Sequence, residues 1–211
     1  MKKTTNININ GIAFTLDEDA YKLINDYMIS IRSHFKNKNG GEEIISDIEA
    51  RIAELFQGML NDTKQVINVD DVKKVKSQLG QPSDFESDNE EEQAYDYSFD
   101  TTRKRLYRDI KNRMIGGVCS GLGAYFHVDT TWIRLAFVIA TISGVSPLIY
   151  LILWVVIPAA VTASERLEMR GEPINISNIE KAIREELYDL RDKADDFAGQ
   201  VRDKFKKKNK V

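Results

Sequence analysis

The chain has 211 residues, enough for one or two small domains with tails, and its 30 Lys and Arg nearly balance 33 Asp and Glu, so the placement of charge carries more than its sum. Cys119 is the only cysteine, which excludes an internal disulfide framework and leaves a Cys-based zinc site short of thiolates. His34 and His127, the two histidines, lie far apart and support neither a metal cluster nor a Ser/His/Asp arrangement.

The first residues, MKKTTNININ, start basic but lack an apolar core, so no secretory signal is read and the N-terminal part is expected to stay in the cytoplasm. Ile7 and Ile9 alternate with polar residues and lead through Asn10-Gly11 into a second apolar stretch, which predicts a β-hairpin because a type I′ turn needs positive φ at both central residues. Asp17 can cap a helix with an apolar stripe of Tyr21, Ile24, Tyr27, Met28, Ile31 and Phe35. After the NKNGG turn, Glu42 to about Leu60 repeats the pattern with Ile44, Ile48, Ile52, Leu55, Phe56 and Met59. QVINV is a strand candidate, and Asp70 or Asp71 caps a short helix that stops at Gly80 and Pro82. Residues 1–82 are thus expected to form a small soluble α+β domain. It has no Gly-rich phosphate loop and no paired-carboxylate motif.

Residues 83–102 are an expected acidic linker, since Asp84 to Asp100 holds eight acidic residues and no basic one. The sign then reverses: Arg103, Lys104, Arg105, Arg108, Lys111 and Arg113 stand against Asp109 alone, the pattern of a lipid-facing juxtamembrane basic patch. A sharper alternative has the acidic linker fold back onto that patch until membrane or a partner displaces it. Gly117, Gly121 and Ala124 give the next helix a face of small residues on which another helix could pack. A turn at Phe126-His127-Val128 and a cap at Asp129 open a further helix, which runs straight into an apolar block and so cannot lie in a DNA major groove.

That block, Leu135 to Val161, has no charged residue. At about 1.5 Å per helical residue, roughly 20 apolar residues cross a bilayer's hydrocarbon core, so the length reads as a membrane segment. Gly144, Ser146 and Pro147 interrupt it with the chemistry of one helix ending and another beginning. Two arrangements fit: one crossing by a transmembrane helix kinked or broken at Pro147, or two short helices forming a hairpin that dips into one leaflet. The basic cluster before the block favours a single crossing, whereas the terminal KFKKKNK favours the hairpin. Residues 164–211 hold an amphipathic helix whose apolar residues Ile176, Ile179, Ile183, Leu187, Leu190, Phe197 and Val201 keep a period near a coiled-coil repeat, opened by a capping box at Ser177 and Glu180. Pairing with another chain, lying on the membrane surface and folding back on its own chain are all open to such a helix.

The ordered set Leu106-Tyr107-Arg108, Gly117 to Leu122, Tyr125-Phe126, Val128-Asp129, Trp132-Ile133-Arg134 and Tyr150 to Trp154, ending at Pro158, closely resembles the phage shock protein C (PspC) domain family, with residues 103–163 as the membrane domain. The resemblance implies a non-enzymatic inner-membrane component of the envelope-stress response that relays membrane state to a protein partner. The first 100 residues lie outside it and resemble an extension seen in Bacteroidetes-like members. The expected partners are membrane lipid, a stress-response protein and a second copy of the chain. No catalytic, cofactor-binding or metal residue is assigned, and no small-molecule substrate or nucleic acid is expected. The alternatives are a membrane scaffold acting by oligomerisation and a membrane-tethered transcriptional regulator.

Overall fold

Asn10 and Gly11 both take positive φ, 49° and 79°, and turn strand β1 (Thr4–Ile9) directly into β2 (Ile12–Asp17) with Ile9 opposite Ile12. The computed structural model describes residues 3–81, 104–142 and 147–208. Helix α1 (Glu18–Phe35) follows with Asp17 at its N-cap, and buries Ile24, Tyr27, Met28, Ile31 and Phe35. Helix α2 (Gly41–Met59) buries Ile44, Ile48, Ile52 and Phe56 against it, and the Phe56 ring meets Phe14 of β2 edge-on at 5.6 Å.

Two local expectations change. QVINV does not become a strand: only Ile67 pairs, donating to Thr15 O and accepting from Asp17 N, because Asn68 already opens helix α3 (Val69–Leu79). The cap is Asn68, not Asp70 or Asp71. The Asn68 side chain accepts from Asp71 N and the Asp71 carboxylate accepts from Asn68 N, both at 3.0 Å.

Buried Asp71 also receives Lys64 Nζ at 2.6 Å. Burial alone would raise its carboxyl, but the Asn68 amide and Lys64 outweigh that and hold it below its ordinary value of 3.8. A carboxyl lowered in the folded chain contributes stability that is present above its unfolded value and is lost as pH falls through the folded one. Asp71→Asn is therefore expected to cost about 1–2 kcal/mol at pH 7 and to flatten the acid limb of urea midpoints between pH 5 and 2. An unchanged acid limb would refute this account.

The second half of the chain begins with a short strand, β3 (Arg108–Asp109), then α4 (Val118–Phe126), α5 (Thr130–Ile142), α6 (Pro147–Val156), β4 (Ala159–Ala160), α7 (Ala163–Arg170) and α8 (Ile176–Lys208). Strands β3 and β4 pair in parallel, Arg108 with Ala159 and Asp109 with Ala160. The molecule is mostly helical with one small N-terminal hairpin, and this corrects the expected membrane-domain architecture. Among the described residues no helix is long and apolar enough to cross a membrane. The apolar block is instead divided into helices of 13 and 10 residues, each well short of the roughly 20 a crossing needs. Gly144 and Ser146 lie outside the described residues, as do the acidic linker and Arg103, while Pro147 is the first residue of α6.

Helix α7 carries a capping box, Thr162 with Glu165, and its Ala163 N donates to Asp47 Oδ2 of α2 at 2.6 Å. Helix α8 starts at Ile176 under an Asn175 cap, whose Oδ1 accepts from Asn178 N, so the Ser177 and Glu180 box does not form its start. Its first turns fold back on the N-terminal elements. Ile176, Ile179 and Ile183 are fully buried in the same core as Ile24, Phe35, Ile44 and Phe56, with Leu187 packed at the margin. Three isoleucines removed from water stabilise that junction by at most about 9 kcal/mol. Residues on both sides of the apolar block thus share one core.

Candidate functional site

The base of the second half is built on backbone contact. A Cβ on Gly117 would lie 2.3 Å from Asp109 O and one on Gly121 2.0 Å from Tyr107 O, so α4 rests on the main chain of the β3 segment. Ser120 Oγ bridges the same place, at hydrogen-bond distance from Asp109 O and Gly117 O. Ala124 packs with Tyr107, Ala160 and Met169. The small-residue face therefore holds a strand from its own domain. Gly121→Ala is expected to lower stability by about 1–3 kcal/mol, because the collision is with backbone. At exposed Gly199 of α8, where a Cβ meets nothing within 4 Å, the same change should be neutral or stabilising by up to about 1 kcal/mol. Chemical denaturation of both variants checks the opposite signs.

The basic residues are largely taken up by the protein. Arg108 donates from Nε to Ile157 O at 2.8 Å and from Nη1 to Gly116 O at 3.1 Å, with its guanidinium over the Trp154 ring. Arg105 lies between Glu54 and Glu168, Lys111 reaches Glu186 at 3.5 Å, and Lys104 Nζ sits 2.6 Å from His127 Nε2. Lys104, Arg105 and Arg113 are exposed, while Arg108 and Lys111 are half-buried. Buried Tyr107 donates to Glu168 Oε2 at 2.8 Å, and burial together with that carboxylate pushes its hydroxyl up to about 12, so it stays a donor at neutral pH.

Above this base stand α5 and α6, joined by the edge-on contact of Phe137 and Tyr150 at 5.5 Å. His127 closes α4 at φ 55°, and the exposed Asp129 carboxylate accepts Thr131 N at 2.7 Å to start α5, which keeps that carboxyl below its ordinary value. The outer sides of the pair are apolar and uncovered. Trp132 is 67% exposed, Ile142 81%, Leu151 54% and Val155 70%, with Leu135, Val138, Ile139, Leu148 and Ile152 beside them. Isolated exposed apolar residues are ordinary, but so many on two helices linked by a ring contact is unusual for a surface in water.

Between α4 and the pair lies an open cavity of about 420 Å³, lined by Met114, Ile115, Cys119, Arg134, Phe137 and Val138 among others. Burial pushes the Cys119 thiol up, the opposite of what a thiolate nucleophile requires. Among the described residues no cluster of His, Cys, Asp and Glu could hold a metal ion.

Of the expected partner helix, Ile176, Ile179 and Ile183 are enclosed by their own chain, while Leu190 and Phe197 stay exposed at 57% and 69%. Val201 is helical. The apolar hairpin with its cavity, rather than the basic patch, is the main uncommitted surface.

Residues 104–160 match the family model described as the PspC domain. No curated protein and no solved structure matches the chain.

Proposed function

We propose that this chain, whose residues 104–160 match the PspC domain of a phage-shock stress-response family usually found at membranes, is a sensor or adaptor at the cytoplasmic face of the bacterial inner membrane. It seats the α5–α6 pair in one leaflet and relays the state of that leaflet to a protein partner. The observation that carries the reading is the set of exposed apolar side chains on α5 and α6. Such a surface is stable in the acyl layer and costly in water, at about 25 cal/mol per Å². Because the chain before and after the hairpin shares one core, the hairpin enters and leaves from the same side. The exposed Tyr188, Leu190 and Phe197 of α8 are the side chains proposed to meet the partner.

Vesicle co-sedimentation of the full chain tests the membrane step. Leu151→Glu with Ile152→Glu leaves the buried core untouched, since both side chains are about half exposed. Each glutamate in the apolar layer costs roughly 2.5–3.5 kcal/mol, so the pair should weaken binding by about 100-fold or more with an unchanged circular dichroism spectrum. A wild-type chain that stays in the supernatant, or a variant that sediments equally, would remove the reading.

A further inference from the structure

We propose that the cavity beneath the hairpin holds one acyl chain of a membrane glycerophospholipid, with Arg134 gripping that lipid's phosphate. This rests on the membrane reading above and adds a specific site to it.

Cavity and cation belong to the same place. Met114, Ile115, Phe137 and Val138 make apolar walls, and at about 420 Å³ the space falls within the ordinary size of a ligand pocket. Arg134 is half-buried on α5 and lines the same cavity. Its hydrogen bond runs from Nη2 to Asn112 O at 3.2 Å; among the described residues it has no salt bridge, and the exposed Asp129 carboxylate acts on it only through longer-range charge. A guanidinium has five N–H donors in a planar fork, so at least three remain for a ligand. The neighbouring hydroxyls are already committed: Tyr150 donates to Ile115 O and Thr141 to Phe137 O. The chemistry on offer is therefore an apolar slot with one fork cation that has no salt bridge and several donors to spare. Cationic forks of this kind suit a phosphate bidentately.

Three features favour a bilayer lipid over other occupants. A peptide would need hydrogen-bond partners for its backbone, and these walls supply few, whereas an acyl chain needs none. An apolar molecule without a head would leave the remaining Arg134 donors unused beside the apolar walls. The wall formed by α5 is continuous with the surface that enters the leaflet, so a lipid reaches the slot without passing through water.

The test uses the full chain on vesicles of phosphatidylcholine and phosphatidylglycerol, the latter carrying a diazirine near the end of one acyl chain. Irradiation and peptide mapping are done on the sedimented fraction. Adducts are expected on Met114, Phe137 and Val138. Arg134→Gln should reduce them by about tenfold or more while sedimentation changes less than about twofold, and Arg134→Lys should retain an intermediate yield. Val138→Trp, which fills the slot from a half-exposed position, should abolish the Phe137 adduct without unfolding the chain. Normal sedimentation with adducts confined to outward residues such as Ile139 and Leu151 overturns the lipid slot and leaves the membrane reading standing. Indifference of the cavity adducts to both Arg134 variants also overturns it. Failure of the wild type to sediment overturns both.

Discussion

Alkaline phosphatase fused after Val211 is expected to remain inactive in bacteria, while β-galactosidase at the same position is active. The enzyme needs the oxidising side of the inner membrane. The proposed topology keeps the C-terminal helix on the side of the N-terminal domain, because Ile176, Ile179 and Ile183 complete a core with Ile24, Phe35 and Phe56. A single crossing would separate those groups by a hydrocarbon layer of about 30 Å and expose both halves of the core. High phosphatase activity would show that the chain opens in the membrane and that the shared core is not its resident state.

The second large effect separates the two halves of α8. Ile183→Ala is expected to destabilise the chain by about 2–5 kcal/mol, the cost of a cavity at a fully buried isoleucine. Leu190→Ala, two turns further on and more than half exposed, should change stability by less than about 0.5 kcal/mol. Urea denaturation at two protein concentrations reads both. A pair of equal, concentration-dependent losses would instead mean that the whole apolar stripe is held by another chain.

That contrast shows where local pattern stops being informative. The Asn10-Gly11 turn and the apolar stripes of α1 and α2 were legible because each is decided within a few residues by turn sterics or helical period. The α8 stripe has the same period whether it meets its own chain or a second one, and only tertiary contact separates Ile183 from Leu190. Gly121 was legible as a close-approach site, but what approaches is the Tyr107 carbonyl, just before a two-residue strand too short to show a pattern. Arg105 and Lys111 read as a lipid-facing cluster because their partners, Glu54, Glu168 and Glu186, lie tens of residues away. Helix α7 carries a readable start signal in the Thr162 and Glu165 capping box, one that the expectations for residues 164–211 do not include. The apolar block reads as a span because its total length fits a crossing, but the pieces into which it is cut do not.

The clamp at Arg108 has a mechanical meaning. The α5–α6 excursion leaves and rejoins the body at neighbouring points, where Arg108 N donates to Pro158 O at 2.7 Å and its guanidinium grips Ile157 O, Gly116 O and the Trp154 ring. If the excursion is seated in a leaflet as proposed, a load on it reaches the body by two routes, this clamp at the end of α6 and the bonds of Arg134 to Asn112 O and Tyr150 to Ile115 O beside α4.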